Sequence, residues 1–388
     1  MPIALRSLTD RLAQSAPLVL ALIAALAAAS LLLLALDADV GAAYSALFQG
    51  AFGSPNAAAE TLVKAIPILF VAIGVCIAFR ASVVNIGGEG QMIIGALGGV
   101  STALAFGATL GGWTIPLALA AGFVAGGIYG GLAGFLKARF SVNEILSTIM
   151  LNQIAVQIMN FLLNGILLDP TEAGMNNIPK TARIVELAEL PRLAIGIPGL
   201  IDPPLFDRTR LHIGLLIAVA LALVMTFVLW RTTIGYRIRA VGYNERAARY
   251  AGIAVGRQMI LAMFLSGGCA GLAGAVQVLG LQYRLQTDGS PGGFTGGAGF
   301  NGIVAALFGG LNPIGAIPAS IFFGGLLVGA QTMQRAVGIP AALVTTINGV
   351  IVVFVVSSRI FVQARQRARA NPPPAAPIAS APLPEAGS

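Results

Sequence analysis

The run from Leu62 to Phe79, LVKAIPILFVAIGVCIAF, contains a single charge, Lys64, and leads through Arg80 into Asn85-Ile86-Gly87-Gly88-Glu89-Gly90-Gln91. Crossing about 30 Å of hydrocarbon takes roughly 20 mostly apolar helical residues. Working outward, ten segments meet that pattern: about 17–36, 62–79, 91–108, 113–136, 145–168, 211–230, 257–281, 296–311, 313–333 and 340–362. The predicted fold is therefore an all-α integral membrane protein of about ten (8–10) transmembrane helices. Composition agrees, because 57% of the 388 residues are hydrophobic and only 10% are charged, where soluble domains carry about 25% charge. A water-soluble enzyme is excluded.

The net charge of +8 lies in short patches between apolar runs, which speaks for membrane orientation and against nucleic acid. With the N-terminus inside, the cytoplasmic set includes Arg6, Arg11, Arg80, Lys137, Arg139, Arg231, Arg237, Arg239, Arg246, Arg249 and Arg257. Both termini are then predicted to be cytoplasmic. The first segment, 17–36, is longer than a signal core and reads as an uncleaved span. Domain expectations follow: residues 1–16 as a cytoplasmic N-terminus and 17–362 as the transmembrane body. Within that body, 169–210 is an ordered external loop and 231–256 an Arg-rich internal loop; the Pro/Ala-rich 363–388 is a disordered cytoplasmic tail. Cys76 and Cys269 lie in apolar runs, so no disulfide framework or paired-cysteine metal site is expected. His212 opens an apolar segment and reads as interfacial rather than as a ligand or base.

Three polar constellations stand out. Three glycines in the four positions 87–90 permit irregular backbone, which survives at membrane depth only where protein or water satisfies it. Glu89 should then face a cavity, an interface or the cytoplasmic edge, and with Asn85 and Gln91 it is assigned to the substrate pathway; spacing alone fits a tight turn with a solvated Glu89 equally well. In the fifth span Gln153, Gln157, Asn160 and Asn164 fall within one narrow stripe at 100° per residue. Such amides either bond a neighbouring helix or line a wet path, and four in a row favour the path. The third constellation runs from Gly235 to Ile253. Asn244 suits an N-cap, Glu245 a first turn, and Gly252 a C-terminal stop. A short exposed helix with small residues Ala247 and Ala248 and charges Arg246 and Arg249 results. A solvated basic loop is the plain alternative. A weak echo links Gly88-Glu89-Gly90 with Gly297-Ala298-Gly299, as an inverted repeat would require; chance similarity explains it as well.

No phosphate-cradling Gly-x-x-x-x-Gly-Lys-Ser/Thr is present; the nearest approach, Gly174 to Lys180-Thr181, has Pro179 at the second glycine. No metal-spaced cluster and no Ser/His/Asp set can be assembled. No catalytic residue, metal or directly bound cofactor is predicted, and energy must come from a partner or an ion gradient.

From about Ala43 to Phe361 the chain resembles the membrane permease subunit of ATP-binding-cassette importers, in the group serving branched-chain amino acids, ribose-type sugars and nucleosides. The motifs are Ala57-Ala58-Ala59-Glu60-Thr61-Leu62-Val63-Lys64-Ala65, Phe79-Arg80-Ala81, Asn85 to Met92, Asn143 to Asn152, and Gly299 to Leu307 with Asn312-Pro313. They most resemble the longer permease of bacterial nucleoside importers; Gly88 stands where the pattern has Ala. The resemblance implies alternating access in a bacterial plasma (inner) membrane. It implies two ATPase subunits that use ATP, a second permease subunit, and a periplasmic or lipoprotein solute-binding protein. It also implies a coupling role for Gly235, Arg237, Arg239, Gly242, Asn244, Glu245, Arg246, Ala247, Ala248, Arg249 and Gly252. Simple sugars such as ribose are the alternative solute. Two rival classes remain: a gradient-coupled secondary transporter, for which Glu89 is the sole deep acid, and a membrane scaffold.

Overall fold

A computed structural model of the protein describes residues 23–35, 37–172, 178–193, 195–197, 201–205 and 209–338, with isolated positions from 346 to 354. The expected span 340–362, the N-terminal stretch 1–16 and the tail 363–388 lie outside these or nearly so. The chain divides into two units. Residues 30–349 form one and contain every site below. The other draws on 1–29 and 350–388, where the first turns of α1 are the main described part.

In chain order the helices begin with α1 (Ile23–Leu34), α2 (Val40–Phe52), α3 (Pro55–Arg80), α4 (Gly88–Leu110), α5 (Thr114–Phe140) and α6 (Glu144–Leu163). A small hairpin of β1 (Ile195–Ile197) and β2 (Ile201–Leu205) follows. Next come α7 (Gly214–Arg231), α8 (Thr233–Tyr243), α9 (Glu245–Tyr250) and α10 (Val255–Gln277). The last are α11 (Pro291–Thr295), α12 (Ala298–Phe308) and α13 (Pro313–Val337). Six helical stretches among the described residues are long and apolar enough to cross a membrane; one, Gly88–Phe140, is the α4–α5 pair joined by a tight turn, and α1 and α12 are shorter. The all-helical membrane fold stands, with the antiparallel β1–β2 hairpin as a local exception.

Local chemistry sets the helix starts. Ser54 accepts from the Ala57 amide (3.1 Å) ahead of Pro55 at the first position, and Asn143 accepts from Ile145 (2.9 Å). Asn312 accepts from Ile314 (3.0 Å) ahead of Pro313. Each side chain satisfies an orphan donor. α13 ends on Gly338 at φ +69°, a left-handed conformation that glycine adopts without a Cβ clash.

The core is built on backbone proximity. Gly122, Gly126, Gly130 and Gly134 recur every fourth residue along α5 and face Gly271, Gly267 and Met263 of α10, where a Cβ would meet backbone. The residue numbers rise along one helix as they fall along the other, so α5 and α10 are antiparallel. Gly95 against Gly271 and Gly99 against Ala275 make α4 parallel to α10. Small-residue faces allow such approach where lipid offers no hydrophobic drive. α2, absent from the sequence expectations, packs against α13 through Gly50, Gly325 and Gly329, which meet Thr332, Ala51 and Leu47.

Where it is described, the expected loop 169–210 packs against the segment that follows α10. Thr181 donates its amide to the Leu285 carbonyl (2.9 Å), Ile184 to Tyr283 (3.0 Å) and Leu190 to Leu279 (2.8 Å). Arg210 grips Glu60 with two hydrogen bonds of 2.9 and 2.7 Å. His212 differs from expectation. It is buried beside Gly214 and Gly280, and its Nδ1 accepts from the Gly214 amide (3.1 Å), which fixes the neutral imidazole as the fitting form. Burial pushes its pKa down to about 4.

Candidate functional site

Residues 81–87 turn back from the end of α3 into the bundle. Asn85 Nδ2 donates to Gln91 Oε1 (2.9 Å) and to Ser266 Oγ of α10 (2.8 Å), while Asn85 Oδ1 accepts from Gln91 Nε2 (3.0 Å) and the Gly87 amide (2.9 Å). All four residues are buried. Gly88 packs on Val71, which lies nine residues before the end of α3 at Arg80. At 1.5 Å per residue that depth is about 14 Å, close to half the hydrocarbon thickness. The reading of Glu89 as a solvated turn residue is excluded, since it is 1% exposed.

Two helices begin here, and neither brings its own cap. α4 starts after Gly87 and α12 after Gly297, and neither glycine has a side chain to accept from the first turn. Both third-position amides are capped from another helix. Asn152 Oδ1 of α6 accepts from Gly90 N (2.9 Å), and Asn152 Nδ2 donates to the Ile86 carbonyl (3.1 Å). Glu89 Oε1 accepts from Phe300 N (3.2 Å), placing a carboxylate at the positive end of α12. The Thr295 hydroxyl stands beside the same carboxylate, whose Oε2 has no hydrogen-bond partner among the described residues. A Cβ on Gly88 would lie 3.2 Å from Gly299 Cα, so the two helix starts abut. From this junction α4 runs to Gly107, against Val185, and α12 runs the other way toward Arg80, whose Nη2 donates to the Leu311 carbonyl (3.1 Å). The echo between the two glycine motifs is thus a spatial relation, in the register Gly87 with Gly297.

The amide stripe lies elsewhere. The buried face of α6 is Thr148, Asn152, Ala155, Val156, Met159 and Leu163. Gln153, Gln157 and Asn164 are exposed, and Asn160 is half-buried with its Oδ1 accepting from Thr287 Oγ1 (2.8 Å). Gln153 and Gln157 border a shallow groove with Ile154, Ile158, Phe161 and Leu162. The structure does not bring the stripe to Glu89; Asn152, on the other face, makes that link.

At the arginine-rich end α8 and α9 form a helix pair. Thr232 Oγ1 accepts from Gly235 N (3.2 Å), and Asn244 Oδ1 accepts from Arg246 N and Ala247 N (3.0 and 3.1 Å). Gly252 follows α9 at φ +77°. Arg237, Glu245, Arg246, Ala247 and Arg249 are exposed, and Ala248 is buried. Gly235 and Gly242 have a different role from their exposed neighbours. A Cβ on Gly235 would overlap the Val228 carbonyl, and one on Gly242 the Arg80 carbonyl. Both glycines let α8 lie directly against α7 and the end of α3. Arg239 turns inward and stacks on Trp230, its Cζ 4.4 Å from the ring centre.

Membrane-length helices, a long and a short helix (α4 and α12) starting nose to nose at mid-depth, and a basic helix pair at one end define a multi-pass membrane protein with interrupted helices. The family of branched-chain amino acid transport system permease components matches residues 57–356, and the chain belongs to this family. It is accordingly a membrane-embedded transport component. The guanosine ABC transporter permease protein of Bacillus subtilis (strain 168) is 37% identical over 87% of this chain and 92% of that one. The glucose ABC transporter permease protein of Haloferax volcanii is 35% identical over 88% and 87%. The nucleoside ABC transporter permease protein of Lactococcus lactis subsp. cremoris is 32% identical over 80% and 82%. No solved structure matches the chain.

Proposed function

We propose that this chain is the permease subunit of an ATP-driven nucleoside importer in a bacterial plasma membrane, with the arginine-rich end and both termini in the cytoplasm. The observation that carries the solute assignment is the near full-length likeness to permeases named for guanosine and for nucleosides. The exposed amides Gln153, Gln157 and Asn164 support a pathway on this face of α6, completed by a second permease subunit. Exposed carboxamides are costly in lipid, and they can donate to and accept from hydroxylated, uncharged solutes. The junction around Asn85, Glu89 and Gln91 sits behind that face as the hinge that holds the starts of α4 and α12. ATP is used by separate subunits that dock on α8 and α9, and a lipoprotein or periplasmic binding protein delivers solute to the end carrying residues 169–210.

The glucose permease relative favours a second reading, in which the same path carries simple sugars. Competition uptake with adenosine, uridine, ribose and glucose in a deletion strain separates the two. Accumulation of adenosine that stops on ATP depletion and ignores an uncoupler is the expected result. Uptake that collapses with the proton gradient at constant ATP would overturn the ATP-driven reading in favour of a secondary transporter.

A further inference from the structure

Trp230, the penultimate residue of α7, has two guanidiniums over its ring, Arg239 Cζ of α8 at 4.4 Å and Arg80 Cζ of α3 at 5.2 Å from the ring centre. Two like charges converge on one half-exposed indole, which holds them through the negative face of the ring. Arg80 does more than stack. Its Nη2 donates to the Leu311 carbonyl just beyond α12 (3.1 Å), and its own carbonyl sits against Gly242 of α8, whose carbonyl accepts from Ser82 Oγ (2.8 Å). Leu311 adopts φ +54°, left-handed backbone that a leucine enters only when its surroundings hold it there. The opposite end of α12 is the one capped by Glu89.

We infer that Arg80 is a positioning residue that fastens the cytoplasmic helix α8 to the C-terminal end of α12, so that displacement of α8 is delivered to the mid-membrane junction at Glu89. This rests on the reading of α8 and α9 as the docking surface for the ATPase subunits. The physical ground is the stiffness of the parts. α12 is a single eleven-residue helix held at both ends, α8 meets Arg80 backbone to backbone at Gly242, and both guanidiniums stack on the Trp230 ring. A pull on α8 has no slack segment in which to dissipate before it reaches Leu311. Arg rather than Lys is suited to this place, because only a planar guanidinium can stack on the indole while donating along its edge.

The test uses the whole transporter, purified with its ATPase subunits and second permease and reconstituted with its binding protein. The permease is labelled with 5-fluorotryptophan. The chain has two tryptophans, so Trp113→Phe assigns the Trp230 fluorine resonance. Trapping the ATPase with ATP and vanadate should shift that resonance in the otherwise unaltered protein. Arg80→Lys should still copurify with the ATPase and hydrolyse ATP at a near-normal rate. Uptake per ATP, measured with whichever of adenosine, ribose or glucose the unaltered protein accumulates, should fall roughly tenfold, as expected for losing one stacked, hydrogen-bonded guanidinium. Trp230→Phe, which keeps a ring, should remain coupled, while Trp230→Leu should uncouple like Arg80→Lys. Arg249→Glu, on the exposed face of α9, should abolish association and hydrolysis; normal association there removes the docking reading itself. A resonance unmoved by vanadate, an Arg80→Lys protein with unchanged uptake per ATP, or one whose uptake and hydrolysis fall in proportion would each overturn the role of Arg80.

Discussion

Asn152 and Gln153 are neighbours on α6, and the structure assigns them opposite weights. Asn152 is 4% exposed and supplies one acceptor to Gly90 N and one donor to the Ile86 carbonyl. Replacing it with Ala orphans both backbone groups at a depth water does not readily reach. Buried groups left unmade cost about 1–3 kcal/mol each in proteins generally. Hydrogen bonds between membrane helices average only about 0.6 kcal/mol and reach about 1.7, because the unfolded chain in lipid finds other partners. Two bonds at the upper membrane value sum to about 3 kcal/mol, and two at the average to about 1. An Asn152→Ala loss of about 2 kcal/mol is therefore expected. Gln153→Ala removes a larger amide from an exposed position and should change stability by less than about 0.5 kcal/mol. Reversible unfolding of the purified permease by SDS titration in mixed micelles measures both. Equal losses in the two variants, or a larger one for Gln153→Ala, would refute the claim that α4 is capped from α6.

The cap on α12 gives a second contrast. Glu89→Gln keeps an acceptor for Phe300 N and should stay within about 1 kcal/mol of the unaltered protein, whereas Glu89→Ala should lose about 1–3 kcal/mol; a Gln variant as unstable as Ala in the same titration would show that the charge, not the acceptor, is what α12 requires. His212 predicts a pH dependence with a definite sign. Its pKa lies near 4 in the folded chain and near 6.5 when unfolded, so between these values the unfolded state binds more protons. Its contribution is complete above pH 6.5 and is lost as pH falls toward 4, about 2 kcal/mol of it between pH 7 and pH 5. Thermal unfolding of His212→Asn, which keeps an acceptor for Gly214 N, should show a smaller fall over that interval; an unchanged slope would assign the acid sensitivity to other groups.

Much of the fold was legible because the bilayer forces a simple code. An apolar run as long as Leu62 to Phe79 has few alternatives to a spanning helix, and its ends are marked by Ser54-Pro55 and Arg80. The glycines at 87, 88 and 90 likewise announced irregular backbone beside Glu89. Their partner could not be read, since Gly299 lies more than two hundred residues along the chain and only packing brings it to Gly88. α2 escaped notice for a related reason. Its thirteen residues are too short for a span, and what holds it is a glycine face on α13 rather than a pattern of its own. Asn152 was missed because the other amides of α6 formed a persuasive stripe about 100° away from it. The available signal was the pair Thr148 and Asn152, four residues apart with Ile149, Met150 and Leu151 between them. For the helix pair α8–α9 the caps Thr232 and Asn244 were ordinary and Asn244 was readable, but nothing in the order of residues distinguished the inward Arg239 from the outward Arg237.

The glycine seam between α4, α5 and α10 bears on how such a molecule can change shape. Where main chains touch without intervening side chains, sliding by even a fraction of a residue brings carbonyls into collision, and rotation about either axis does the same. Those three helices are therefore expected to travel as one block through any cycle of opening and closing. Movement is left to elements outside that seam, among them α6 beyond its one close approach to Gly90 and α7 together with the α8 packed on it, whose outward faces carry bulky residues such as Phe161 and Phe227. An importer built this way would open by swinging its walls around a fixed post rather than by deforming the post.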